Sequence, residues 1–175
     1  MTDAMKSKVE TGEDFVALLR CLSRHFVRLG PDAPEVDDVL LRWAAALPDQ
    51  APDPGWAGLA DQLLGALAAP SAGLADPVPL GSEPPVATAG ELCTLLPALA
   101  ADYARDRAWS ADRRARGLWA GDGGGWASSS IAGFLESWES WLGSSLSTEL
   151  SGVPPIEPVS WASVAWQLGA ARVYE

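Results

Sequence analysis

Apolar residues three and four positions apart dominate the chain, beginning with Phe15, Leu18, Leu19, Leu22 and Phe26 on one helical face. Thr11-Gly-Glu-Asp14 stands just before this run with the spacing of a capping box, and Gly30-Pro31 closes it, so a helix is predicted over 12–29. Arg20, Arg24 and Arg28 fall on another face, where they stay hydrated. A second helix is expected with Asp32 as its cap, Pro34 in its first turn, and Val36, Val39, Leu40, Trp43 and Leu47 on its apolar face before Pro48. Glu35, Asp37 and Asp38 suit the positive end of its dipole. Trp56, Leu59, Ala60, Leu63 and Leu67 predict a third helix, stopped by Pro70.

Residues 70–85 carry six more prolines or glycines after Pro70, among them Pro77, Pro79 and Gly81, and read as a linker. The pattern then restarts. Thr88-Ala-Gly-Glu91 repeats the capping-box spacing ahead of Leu92, Leu95, Leu96, Leu99 and Tyr103, with a kink expected at Pro97. The stretch 105–116 holds five arginines with Trp109 and Trp119 beside it, and is read, with glycine-rich 121–125, as a connection. Ser128, Ser129 and Ser130 offer caps for a helix bearing Ile131, Phe134, Leu135, Trp138, Trp141 and Leu142. Ser160 caps a last helix with Trp161, Val164, Ala165, Leu168, Ala171 and Tyr174.

Set side by side, the halves agree in order. Thr11 pairs with Thr88, Phe15 with Leu92, Leu22 with Leu99 and Phe26 with Tyr103 without a gap. Val36, Leu40, Trp43 and Leu47 pair with Ile131, Leu135, Trp138 and Leu142; Trp56, Gln62 and Leu63 pair with Trp161, Gln167 and Leu168. The expected fold is therefore all-α, two pseudo-repeated three-helix units (9–69 and 86–175, joined by 70–85) packed into one six-helix domain. Each unit alone has little core to bury.

The second unit resembles a small bacterial family of helical, Trp-rich domains without an assigned activity. The likeness rests on VATAGELCTLL, on Trp126 ahead of IAGFLESWESWL, and on the closing WASVAWQLGAARVYE with its YE tail. It implies a helical fold and a boundary near residue 86, makes 9–69 a degenerate copy, and brings no catalytic residue with it.

Composition narrows the function. A hydrophobic fraction of 48% supplies a core, and a formal charge of -11 repels duplex DNA and anionic membranes while leaving a basic protein partner open. The N-terminal residues contain no apolar run after Lys6 and Lys8, and no stretch approaches the ~20 apolar residues of a membrane span, so a cytoplasmic protein is expected. Cys21 and Cys93 lie within apolar stretches and read as small core residues, not a disulfide.

No catalytic, cofactor or metal motif emerges. His25 has no ligand-type neighbour at helical spacing, Gly123 to Gly125 lack the lysine of a phosphate loop, and Glu136 with Glu139 reads as a solvated face. Trp119, Trp126, Trp141 and Trp166 have no tryptophan partner in the first half and are the candidate contact residues, with Arg113, Arg114 and Glu136. The arginine cluster is expected to pair with the acidic first half, where residues 32–83 hold nine acids against Arg42 alone. The leading expectation is a non-enzymatic module, monomer or homodimer, that binds a basic protein, for instance an immunity or antitoxin-type inhibitor. The alternative is a small-molecule binder or cofactor-free enzyme with a Trp-lined apolar cavity between the repeats.

Overall fold

The computed structural model describes residues 9–48, 50–70, 86–118, 126–146 and 155–174. Among them are six α-helices and no strand: α1 (Gly12–Leu29), α2 (Val36–Ala46), α3 (Gly55–Ala68), α4 (Ala89–Ala115), α5 (Ile131–Ser145) and α6 (Trp161–Val173). The all-α six-helix architecture is as expected. None of these helices is long and apolar enough to cross a membrane. Residues 71–85, Trp119, the glycine run 121–125 and Glu175 lie outside the described residues.

Both expected capping boxes are present. Thr11 Oγ1 accepts from the Asp14 amide while Asp14 Oδ2 accepts from the Thr11 and Glu10 amides, each at 3.1–3.2 Å. Thr88 and Glu91 repeat the arrangement, with Glu91 Oε2 accepting from the Ala87 amide at 2.7 Å. Ser130 and Ser160 cap α5 and α6 through their hydroxyls. Four helix starts are thus fixed by side chains that satisfy amides no helical carbonyl can reach.

Two boundaries differ from expectation. Asp32 does not cap α2: it belongs to a 3-10 turn, Gly30–Asp32, and Glu35 is the N-cap. Ala33 precedes Pro34, whose ring excludes the helical region for its neighbour, and Ala33 is accordingly extended at φ -70°, ψ 147°. Gly30, at φ 55°, makes the turn out of α1 that a side chain would strain. The arginine-rich stretch is helix, not connection: α4 continues through Pro97 to Ala115. Its later turns are rich in alanine and arginine, good helix formers, and nothing breaks it before Gly117 at φ 68°.

The helices cross between halves. α1 packs chiefly on α5 and α4 chiefly on α2, while α3 leans on α2 and α6 on α5. One continuous core results, containing Phe15, Leu19, Leu40, Leu92, Leu96 and Leu135 from both halves. At its centre Trp43 and Trp138, both buried, stack with ring centroids 6.1 Å apart, 22° from parallel. Each indole donates to a glutamine on the next helix: Trp43 Nε1 to Gln62 Oε1 at 3.2 Å, Trp138 Nε1 to Gln167 Oε1 at 3.0 Å. The other tryptophan pair crosses over. Trp56 Nε1 donates to Glu157 at 2.9 Å, and Trp161 Nε1 donates to the Ala51 carbonyl at 3.1 Å.

The two Trp–Gln pairs differ in burial, since Gln167 is wholly enclosed with no partner for Nε2 among the described residues, whereas Gln62 reaches the surface. Trp138→Phe strands the entire Gln167 amide in the core, while Trp43→Phe leaves Gln62 free to turn to water. Urea denaturation should therefore show Trp138→Phe the more destabilising, by about 1–3 kcal/mol.

Hydrogen bonds from the Glu10 and Ala87 amides hold the Asp14 and Glu91 carboxyls below the usual carboxylate range. A depressed folded-state pKa means the unfolded chain takes up protons first, so this stabilisation is complete above the ordinary carboxylate pKa and disappears as pH falls through the lowered values. The double variant Asp14→Asn, Glu91→Gln should melt below the parent at pH 7, with the gap narrowing towards pH 2.

Candidate functional site

Where α1 ends and α2 and α5 begin, the surface opens into a groove of about 270 Å³. Its apolar walls are Phe26, Val27, Pro31, Ala33, Ile131 and Ala132; Glu35, Ser129 and Ser130 supply its polar groups. Phe26 is at the floor of the apolar stripe, 7% exposed, while Val27 beside it is 66% exposed and Leu29 also faces solvent. Both helix starts contribute: Glu35 and Ser130 are the N-caps of α2 and α5.

The surroundings are acidic. Asp32, Glu35, Asp37 and Asp38 fall within seven residues at the start of α2, and Arg42 is ion-paired to Asp38. Burial pushes the Asp37 carboxyl up, and repulsion from Glu35 and Asp38 adds to that. Neither Arg24 nor Arg28 lines the groove.

Tyr103 of α4, 1% exposed, borders the same polar groups without lining the groove. Its single hydroxyl proton lies between the Ser129 carbonyl at 3.0 Å and Glu35 Oε2 at 3.3 Å. Burial and the Glu35 charge hold this phenol far above its ordinary pKa, with Arg107 pulling the other way, so it is a hydrogen-bond donor at any physiological pH. Trp126 covers it edge-on, centroids 5.1 Å apart.

A second cavity of about 410 Å³ lies between α1 and α5, lined by Glu13, Val16, Ala17, Arg20, Gly143 and Leu146. Arg20 closes on Glu139 there, Nη2 to Oε1 at 2.6 Å. Neither cavity has a tryptophan among its described lining residues.

The residues singled out from sequence are distributed differently. Trp126 is buried at 9% exposure, its Nε1 donating to Asp102 at 2.9 Å; Trp141 is half-buried against the core; Trp166 is 47% exposed on α6. Arg113 lies over the Trp109 ring at 4.9 Å, and Arg114 and Glu136 are exposed. Trp119 lies outside the described residues. None of the described ones lines either cavity.

Two sequence expectations are corrected. Within the arginine cluster, Arg105 and Arg116 pair with Asp102 and Asp112 on α4 itself, not with the acidic first half, because a helix brings residues three and four apart together. Cys21 is exposed, since it falls beside the stripe of Leu18, Leu19 and Leu22; Cys93 is half-buried with Sγ 3.3 Å from the Leu47 carbonyl.

Asp102 was also not anticipated as a junction: it accepts from Trp126, Arg105 and Arg172 and ties α4 to α6. Arg172 returns a backbone bond, its carbonyl accepting from the Ala127 amide at 2.8 Å. The groove itself went unread for a related reason, because Phe26, Pro34 and Ser130 are far apart in sequence. The one signal in the sequence that bears on it is the side-by-side placing of Phe26 and Tyr103, where Phe26 lacks the hydroxyl that Tyr103 carries.

No protein-family model, no curated protein and no solved structure matches the chain.

The Tyr103 hydroxyl can be removed without disturbing the ring. Tyr103→Phe should lower unfolding free energy by about 1 kcal/mol in a chemical melt, the worth of one buried hydrogen bond.

Proposed function

We propose that the chain is a non-enzymatic protein-binding module that captures a basic partner through the groove beside Phe26, and that its two halves are copies of one three-helix unit. What carries the binding reading is an apolar groove with exposed Val27 and Leu29 set against four carboxylates at one helix start. Apolar side chains give such a surface adhesion, and its charge selects the sign of the partner and speeds the encounter. An inhibitor that neutralises a basic effector is the class of protein that needs this combination.

The duplication reading is supported by equivalences that go beyond helical patterning. The capping boxes at Thr11 and Thr88, the Trp–Gln bonds of Trp43 and Trp138, and the crossed packing of α1 on α5 and α4 on α2 all fall at paired positions. Trp43 and Trp138, themselves a pair, meet face to face at the centre.

The test is affinity isolation from native cell extract with the tagged full chain and with the variant Val27→Ser, Asp32→Asn, Glu35→Gln. A single stoichiometric basic protein is expected with the parent and not with the variant, its association slowing as salt is raised. Retention by both forms, or a partner that is acidic, overturns the reading.

A further inference from the structure

The groove beside Phe26 has a counterpart in the other half, and there the same space is full. With the N-caps Glu35 and Ser130 aligned, Pro34 falls on Ser129 and Pro31 on Trp126; with Phe26 on Tyr103, Gly30 one turn beyond falls on Arg107. In the second half the Tyr103 hydroxyl bridges the Ser129 carbonyl and the Glu35 carboxylate, Trp126 covers the ring, and Arg107 brings a positive charge close to the phenol. At the paired places the first half has Phe26, Pro31 and Gly30, all of which line the groove. A hydroxyl donor, a flat aromatic cover and a guanidinium are therefore all missing from one side of a near-symmetric arrangement. Of the groups lining the groove, the Ser129 carbonyl and one oxygen of Glu35 already accept from Tyr103. Pro34 stands where Ser129 does in the other half, and among the described residues no backbone amide outside the helices donates to its carbonyl, so that carbonyl and the second Glu35 oxygen are the acceptors the groove offers.

We propose that the groove seats an arginine side chain of the partner, its guanidinium donating towards Glu35 and the Pro34 carbonyl and its flat face against Phe26. This rests on the binding reading above and names the group recognised. Arginine fits better than lysine on three counts. Its donors spread in a plane that can serve two acceptors at once, its delocalised charge stacks on an aromatic ring, and it loses less hydration on entering an apolar groove. The charge on α2 fits as well: Asp32, Glu35, Asp37 and Asp38 stand against one arginine, Arg42, already paired to Asp38.

The experiment is an amide-resolved NMR titration of the full chain with N-acetyl-arginine amide, run in parallel with its neutral isostere N-acetyl-citrulline amide and with N-acetyl-lysine amide. Saturable shifts are expected at Gly30, Ala33 and 129–132 with the arginine probe, weaker with lysine and absent with citrulline. Glu35→Gln should weaken the arginine probe about tenfold or more, as expected on losing a charge-assisted hydrogen bond. Phe26→Tyr, which puts the second half's hydroxyl into the groove, should abolish binding. Glu35 is exposed, so its variant stands as a test even where Phe26→Tyr perturbs the core. Equal binding of citrulline, shifts spread evenly along the acids of α2, or an unchanged titration in Glu35→Gln overturns the proposal. The two readings fail separately. A basic partner still captured by Phe26→Tyr removes the arginine seat and leaves the binding module, whereas a probe that titrates the groove with no basic protein captured leaves the seat and removes the partner.

Discussion

Neither half can cover its own first helix. The apolar stripe of α1, from Phe15 to Phe26, is buried against α5, and that of α4, from Leu92 to Tyr103, against α2; contacts of α1 with α3 and of α4 with α6 are slight. Without the other half, each stripe would stay in water, and a segment of about 60–90 residues has little else to bury. The stack of Trp43 on Trp138 sits where these crossings meet, with Phe15 reaching Trp138 edge-on at 5.5 Å and Trp56 at 5.6 Å. Everything further out depends on this meeting, including the groove, whose walls come from α1 and from the starts of α2 and α5.

This dependence explains what could be read from the chain and what could not. Helix starts marked by Thr11, Thr88, Ser130 and Ser160 were legible because a cap is a local bargain between a side chain and amides two or three residues away. The stripes were legible because burial imposes a helical period whichever partner does the burying. The partner itself was not: nothing in the spacing of Leu18 and Leu22 says that they face α5 and not α2. The end of α4 was misread because five arginines look like solvent-loving connection, whereas in helical form two of them, Arg105 and Arg116, come within ion-pairing distance of Asp102 and Asp112.

The tryptophans show the same limit from another side. Their absence from the opposite half marked Trp126, Trp141 and Trp166 as surface candidates, yet Trp126 is the cover of Tyr103 and is tied by its indole N–H to Asp102. A large aromatic with a satisfied polar edge is as useful for closing a core as for meeting a partner, and only its neighbours decide which. Those neighbours here are Asp102 and Arg172, from α4 and α6, brought together by folding.

Carboxylates crowded at the start of α2 are partly accounted for by the helix dipole, which favours negative charge there. The dipole does not account for all four, since Asp37 is already held up in pKa by burial and by its neighbours, so the last charges added work against the fold. The like-charge part of that penalty, smaller than the part due to burial, is eased by a cation placed among them, and a cation that also carries an apolar, planar body would gain from the groove alongside. Attraction of opposite charge in a partly desolvated cleft and relief of like-charge repulsion act together on the same ligand. A chain of net charge -11 repels its own kind at every approach. At the Phe26 groove that charge lies next to exposed apolar surface, and it is this pairing of charge with apolar surface on which the proposal of a basic partner rests.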